Sequence, residues 1–172
     1  MKSVLLSTRP KWCEKICHEI GKDENGKPIY EKRIEVRKTA PKEVPFKAYI
    51  YCTIGNGVKG DYLVPSGIQC GKVIGDFVCD KVYNIEPIFS FYYSYSGYDD
   101  SDDSCYFEGY SIDKERLEKT CLTKQDLYIY GNGKTLYGWH ISDLKIYDKP
   151  ILLEELGVTR PPLSWMFVEE LK

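Results

Sequence analysis

The stretch Lys32-Arg33-Ile34-Glu35-Val36-Arg37-Lys38 alternates like a β-strand and gathers opposite charges on it. Strict alternation puts Lys32, Ile34 and Val36 on one face and Arg33, Glu35 and Arg37 on the other. Neighbours on one face lie about 7 Å apart, twice the rise per residue. A face reading Arg, Glu, Arg either neutralises itself as ion pairs or holds an anionic ligand at a set spacing. Lys32 joins that face only if a twist or bulge at the start of the strand turns its side chain over.

On the N-terminal side, residues 3–7 read as a short buried strand, and Pro10 suits the first turn of a helix. That helix runs to about Ile20 and stops at Gly21, with Trp12, Ile16 and Ile20 as its buried stripe. Asn25-Gly26 marks a turn before the charged strand, which spans about Tyr30 to Arg37. On the C-terminal side, residues 46–54 form a strong strand and residues 55–71 a glycine-rich loop. Residues 72–85 read as a strand interrupted at Gly75, a position for a bulge. Residues 88–95 are extended, 96–104 a loop, 106–112 a strand and 113–119 a charged helix. Thr123-Lys124-Gln125-Asp126 is a capping box with Asp at its acidic position, so a short helix starts there and ends near Gly131. Residues 136–147 make one long strand, 152–156 a helical turn closed by Gly157, and 164–168 a last strand. The order is strand, helix, strand, then mostly strands with small helices between. It predicts an α+β fold with a curled sheet or small mixed β-barrel, and 172 residues suit a single domain spanning 1–172.

The net charge of -2 argues against broad, sequence-blind binding to nucleic acid, while 24 Lys and Arg leave room for a local basic pocket. The compositional bias is 15 Tyr, a residue that fills barrel cores and also stacks on bases. Seven cysteines, an odd count with no secretory leader, point to a reducing compartment, and no stretch approaches a membrane span. The expectation is a soluble cytoplasmic protein that needs no cofactor. Cys13, Cys17 and His18 resemble half of a zinc site, but no second Cys pair follows, so buried free thiols and no metal are expected. Asp99, Asp100, Asp102 and Asp103 lack the glycine and glutamate of a calcium loop and read as solvated. Gly131-Asn132-Gly133-Lys134 lacks the spacing of a phosphate-binding loop and reads as a turn.

Ser7-Thr8-Arg9-Pro10-Lys11-Trp12-Cys13-Glu14-Lys15-Ile16 followed by the charged strand resembles the opening of the ASCH family, which has the PUA-like fold, a small β-barrel with flanking helices. Gly71-Lys72-Val73-Ile74-Gly75-Asp76-Phe77 is similar to the family's barrel strand, and Gly138-Trp139-His140-Ile141-Ser142-Asp143-Leu144 with Lys149-Pro150 to its late strand. Arg160-Pro161-Pro162-Leu163-Ser164-Trp165 resembles its closing segment. Two departures stand out: residues 21–31 are longer than the usual tight turn, and residues 86–135 form an enlarged insertion.

The resemblance implies a pocket between the first helix and the barrel that binds RNA or a modified nucleotide. Ser7, Arg9 and Lys11 would line it at the helix start, where a helix N-terminus favours anions. Arg37 would bond a phosphate or base edge, with Ser164 nearby. Trp139 and Trp165 would stack on a base, unless they pack the core instead. Some small ASCH proteins resemble amidohydrolases of acylated cytidine that use a lysine and a threonine of the charged strand with a distant glutamate. Lys32 stands at the lysine's place, but Glu35 replaces the threonine. A hydrolase reading, for acylated cytidine or RNA, therefore makes Lys32 the base and Glu35 the group that holds water or protonates the leaving amine. A third reading makes the Tyr-rich insertion a surface for a protein partner.

Overall fold

Val4 and Leu6 point to one side of their strand and Leu5 to the other, and all three are wholly buried. A strand apolar on both faces belongs inside a sheet covered on both sides. The computed structural model, which describes residues 1–54, 67–92 and 104–171, places it there. Strand β1 (Lys2–Thr8) leads into helix α1 (Pro10–Cys17), and strands β2 (Glu19–Lys22) and β3 (Pro28–Tyr30) form a hairpin. Then follow β4 (Ile34–Arg37), β5 (Phe46–Cys52), β6 (Lys72–Cys79), β7 (Val82–Tyr92) and β8 (Ser104–Ser111). Helices α2 (Lys114–Thr120) and α3 (Lys124–Gly131) precede β9 (Leu136–His140) and β10 (Ser142–Ile151). A 3-10 turn (Leu153–Leu156) and β11 (Trp165–Val168) end the fold.

Two curled sheets enclose the main core as a half-barrel. One has the order β10-β6-β5-β1-β11, with β1 and β5 parallel, and the other β4-β9-β7-β8. Phe46, Ala48, Ile50 and Phe77 of the first sheet meet Trp139 of the second and Cys13 and Ile16 of α1. Behind the first sheet, Leu5, Tyr49 and Val73 pack on Leu153, Leu156 and Val158. Behind the second, Ile34, Val36 and Leu136 pack on Tyr110 and Leu127. Tyr110 of β8 and Leu127 of α3 are thus built into the wall rather than hung from it.

Several local expectations hold. Thr123 caps α3, and the Asp126 carboxylate accepts from the Thr123 backbone N–H. The β5–β6 ladder shifts register between Ile50 and Tyr51, opposite Gly75, and a Cβ at Gly75 would lie 2.3 Å from the Lys145 carbonyl oxygen. Other boundaries differ. The strand expected over 72–85 breaks at Asp80-Lys81, and the one expected over 136–147 breaks at Ile141, where the chain crosses between sheets. His140 Nδ1 meets Asp80 Oδ1 at 2.6 Å and ties these two corners together. The first helix ends at Cys17, because Glu19–Lys22 pairs with Pro28–Tyr30, and Ile20 is exposed instead of forming a buried stripe. Trp12, expected in the core, is half-buried. The glycine-rich and acidic loops expected at 55–71 and 96–104 lie largely outside the described residues, as do the four aspartates.

Candidate functional site

The charged stretch is not one strand. Strand β3 ends at Tyr30 and β4 begins at Ile34, and residues 31–33 between them leave the ladder. There the Lys32 N–H donates to the Lys15 carbonyl and the Arg33 N–H to the Lys119 carbonyl. This break turns Lys32 onto the side of Glu35 and Arg37 and separates Arg33 from them, the reverse of strict alternation. The Lys32 Nζ lies 3.3 Å from Glu35 Oε2, and Arg37 Nη2 donates to Glu35 Oε1 at 2.7 Å. Lys32 Nζ also donates to the Thr120 carbonyl at the end of α2, at 2.6 Å. Arg37 Nη2 reaches the Ser7 carbonyl at 2.8 Å and the Thr8 hydroxyl at 3.4 Å. The exposures are 2 % for Lys32, 4 % for Glu35 and 8 % for Arg37.

Two cations and one carboxylate share this buried place, so it carries one surplus positive charge. Burial pushes the Glu35 carboxyl up, but Lys32 and Arg37 outweigh it and hold the group below its ordinary value. Glu35 is therefore a carboxylate at neutral pH. It can orient a donor or a water molecule, but it has no proton to give to a leaving amine. Arg37 Nε is buried without a hydrogen-bond partner, and Glu35 Oε2 has the Lys32 ammonium at 3.3 Å but no well-aligned donor. Such orphans raise the cost of the arrangement and leave it donors and acceptors to spare.

Around this triad stands a rim that only the folded chain assembles. Lys32 and Lys11 both lie over the Trp12 ring, at 5.1 Å and 4.6 Å from its centroid. Lys38 lies over Tyr130 of α3 at 5.0 Å, and the Tyr130 hydroxyl feels Arg37, Glu35 and Arg9. Burial is the main reason the Tyr130 phenol is raised. Helix α1 begins here with Arg9 as its cap residue, no side-chain cap and no acid in its first turn. Its positive end is thus uncompensated by its own sequence.

The sequence-named residues fare differently. Ser7 is buried, donates its hydroxyl to the Pro162 carbonyl and holds Arg37 through its own carbonyl. Arg9 and Lys11 are exposed on the rim. Ser164 meets the site only through its carbonyl, which accepts from the Ser7 N–H. Trp139 is wholly buried, edge-on to Phe46 at 5.0 Å and to Trp165 at 5.7 Å. It has no free face for a base, which corrects its expected stacking role. Trp165 is half-buried and donates Nε1–H to the Thr39 hydroxyl. Thr8, Thr120, Trp12 and Tyr130 were not foreseen at the site. No sequence signal marks Thr120, because its contact is a backbone carbonyl 88 positions from Lys32.

Arg9 is exposed, whereas Lys32, Glu35 and Arg37 are buried. A cleft of about 750 Å³ lies along α1, between it and the β6–β10 side, lined by Lys11, Lys15, His18, Glu31, Ile68 and Tyr147, among others. The triad does not line it. Among the described residues no group of three or more His, Cys, Asp or Glu is arranged to hold a metal ion, and no helix is long and apolar enough to cross a membrane.

Solved structures share this architecture. The ASCH protein of Zymomonas mobilis matches with a TM-score of 0.56 and 17% identity, over 98% of this chain and 89% of that one. A tyrosine-to-phenylalanine variant of it matches with a TM-score of 0.56 and 16% identity, over 99% of this chain and 92% of that one. No protein-family model and no curated protein matches the chain. At such identity the likeness is one of fold.

Proposed function

We propose that this chain, a domain with the ASCH fold, binds RNA or a modified nucleotide at the rim formed by the start of α1, the Lys32–Glu35–Arg37 triad and Tyr130. The observation that carries this reading is the surplus cation. Lys32 and Arg37 are buried with a single carboxylate between them, at a helix end that is itself positive and unguarded by acid. A buried unpaired positive charge is costly, and an incoming phosphate would relieve it. Arg9 and Lys11 extend the positive field outward, and the Trp12 and Tyr130 rings offer edges against which a base can lie. The Glu35 carboxylate, held ionised, accepts from an exocyclic amino group rather than acting as an acid.

The test is titration of the protein with labelled single-stranded RNA and with nucleoside monophosphates at several salt concentrations. Arg9→Glu and Lys11→Glu change exposed side chains and leave the buried triad intact. Each is expected to weaken RNA binding at least several-fold and to lower the salt slope by about 1. Absence of binding by the wild type, or binding by both variants as tight as that of the wild type, removes the proposal.

A further inference from the structure

Next to Thr8, whose hydroxyl meets Arg37, the core holds a group of thiols that nucleotide binding does not use. Cys13 of α1, Cys52 at the end of β5 and Cys70 just before β6 are all buried and free. The Cys52 and Cys70 sulfurs lie 3.4 Å apart, and Cys13 Sγ donates to the Thr8 carbonyl at 3.5 Å. Strand ends hold the pair together: the Gly71 N–H donates to the Cys52 carbonyl at 2.7 Å. The sulfurs need to approach by little more than 1 Å to bond.

We propose that Cys52 and Cys70 are a peroxide-sensitive dithiol, a modification site that closes into a reversible disulfide. The three thiols are not equivalent. The neighbouring Cys13 thiol, and after it the Cys70 thiol, lower the Cys52 thiol against the opposing effect of burial. Burial pushes Cys70 up to about 12 and raises Cys13 as well. Cys52 is therefore the sulfur most readily ionised, with a proton-bearing neighbour on either side.

The chemistry follows from that order. The Cys52 thiolate attacks one oxygen of a hydroperoxide. The S–O bond forms, the O–O bond breaks, and the departing hydroxide or alkoxide takes up the proton that Cys52 released. Cys70 then attacks the Cys52 sulfur. The S–S bond forms, the S–O bond breaks, and hydroxide leaves as water with the Cys70 proton. The two thiols lose two electrons in all, and the peroxide gains them. Both sulfurs are buried, so the reaction proceeds through local opening to an oxidant close to water in size. Closure reaches the cleft beside α1, because Gly67, Ile68 and Gln69, next to Cys70, line it.

The test exposes the folded chain to hydrogen peroxide, traps free thiols, and maps linked peptides by mass spectrometry. The expected product joins Cys52 to Cys70, disappears on reduction with dithiothreitol, and is missing in Cys70→Ser. In that variant a sulfenic-acid trap should label Cys52. A Cys105→Ser variant controls for the exposed thiol and should still form the link. Oxidation confined to Cys105, or a link from Cys52 to Cys13, overturns the assignment. Sulfenic trapping on Cys70 in Cys52→Ser, with none on Cys52 in Cys70→Ser, overturns it equally.

Discussion

Four residues apart, two glutamates are each bracketed by two basic side chains. Glu31 sits between Lys15 and His18, and Glu35 between Lys32 and Arg37. The pattern of contacts is the same, but the surroundings are not. Glu31, Lys15 and His18 have side chains 31 %, 34 % and 62 % exposed, whereas those of Glu35, Lys32 and Arg37 are 10 % exposed or less. Both carboxyls are held below their ordinary value, Glu31 by hydrogen bonds from Lys15 and then His18, and Glu35 by its two cations against the pull of burial. In water the first cluster is a surface ion pair worth little. Away from water the second makes each member depend on the other two.

That contrast can be broken by substitution. Glu35→Gln leaves two buried cations facing each other and should cost about 3–5 kcal/mol in urea unfolding. A loss under about 1 kcal/mol would mean that water reaches the triad and that its burial is illusory. Arg37→Lys keeps the charge but loses the planar guanidinium whose Nη2 reaches both Glu35 and the Ser7 carbonyl. Roughly 1–3 kcal/mol should be lost, the worth of charged hydrogen bonds, and calorimetry would show it as a lowered Tm.

Acid sharpens the same comparison. Each carboxyl has a folded pKa below its ordinary value of 4.5, so its contribution is fully present above that value and drains away as pH falls through the folded pKa. Unfolding curves from pH 7 to 2 should show stability falling on this limb, and Glu35→Gln should flatten the fall. Glu31→Gln should flatten it less and cost no more than about 1 kcal/mol at neutral pH, an effect that added salt should shrink. If salt instead erased the cost of Glu35→Gln and spared that of Glu31→Gln, the assignment of the two environments would be reversed.

What the sequence disclosed depended on the range of the cause. Thr123 with Asp126, Gly157 after a helical turn, and the two-sided apolar strand Val4-Leu5-Leu6 are local signals, and the structure follows each. Gly75 marked the bulge because a close backbone approach excludes a side chain. The convergence of Lys32 with Glu35 and Arg37 was only half legible. Their identities stood in the sequence, but their common side is set by a break at 31–33 whose hydrogen bonds go to Lys15 and Lys119. The corner at Ile141 was hidden for the same reason, since residues 136–147 are uniformly strand-like and the change of sheet is a matter of topology. Trp139 illustrates the limit for sites, because its indole type suits a stacking platform and a core equally, and only its full burial decides.

The bond from Lys32 Nζ to the Thr120 carbonyl has a consequence for inheritance. The ammonium is moored to the last turn of α2, 88 positions along the chain from the charged strand. A descendant that lost α2 would set the lysine adrift and leave its glutamate with one escort. The charged strand and α2 are therefore tied to a common fate: a change that displaces one unsettles the other.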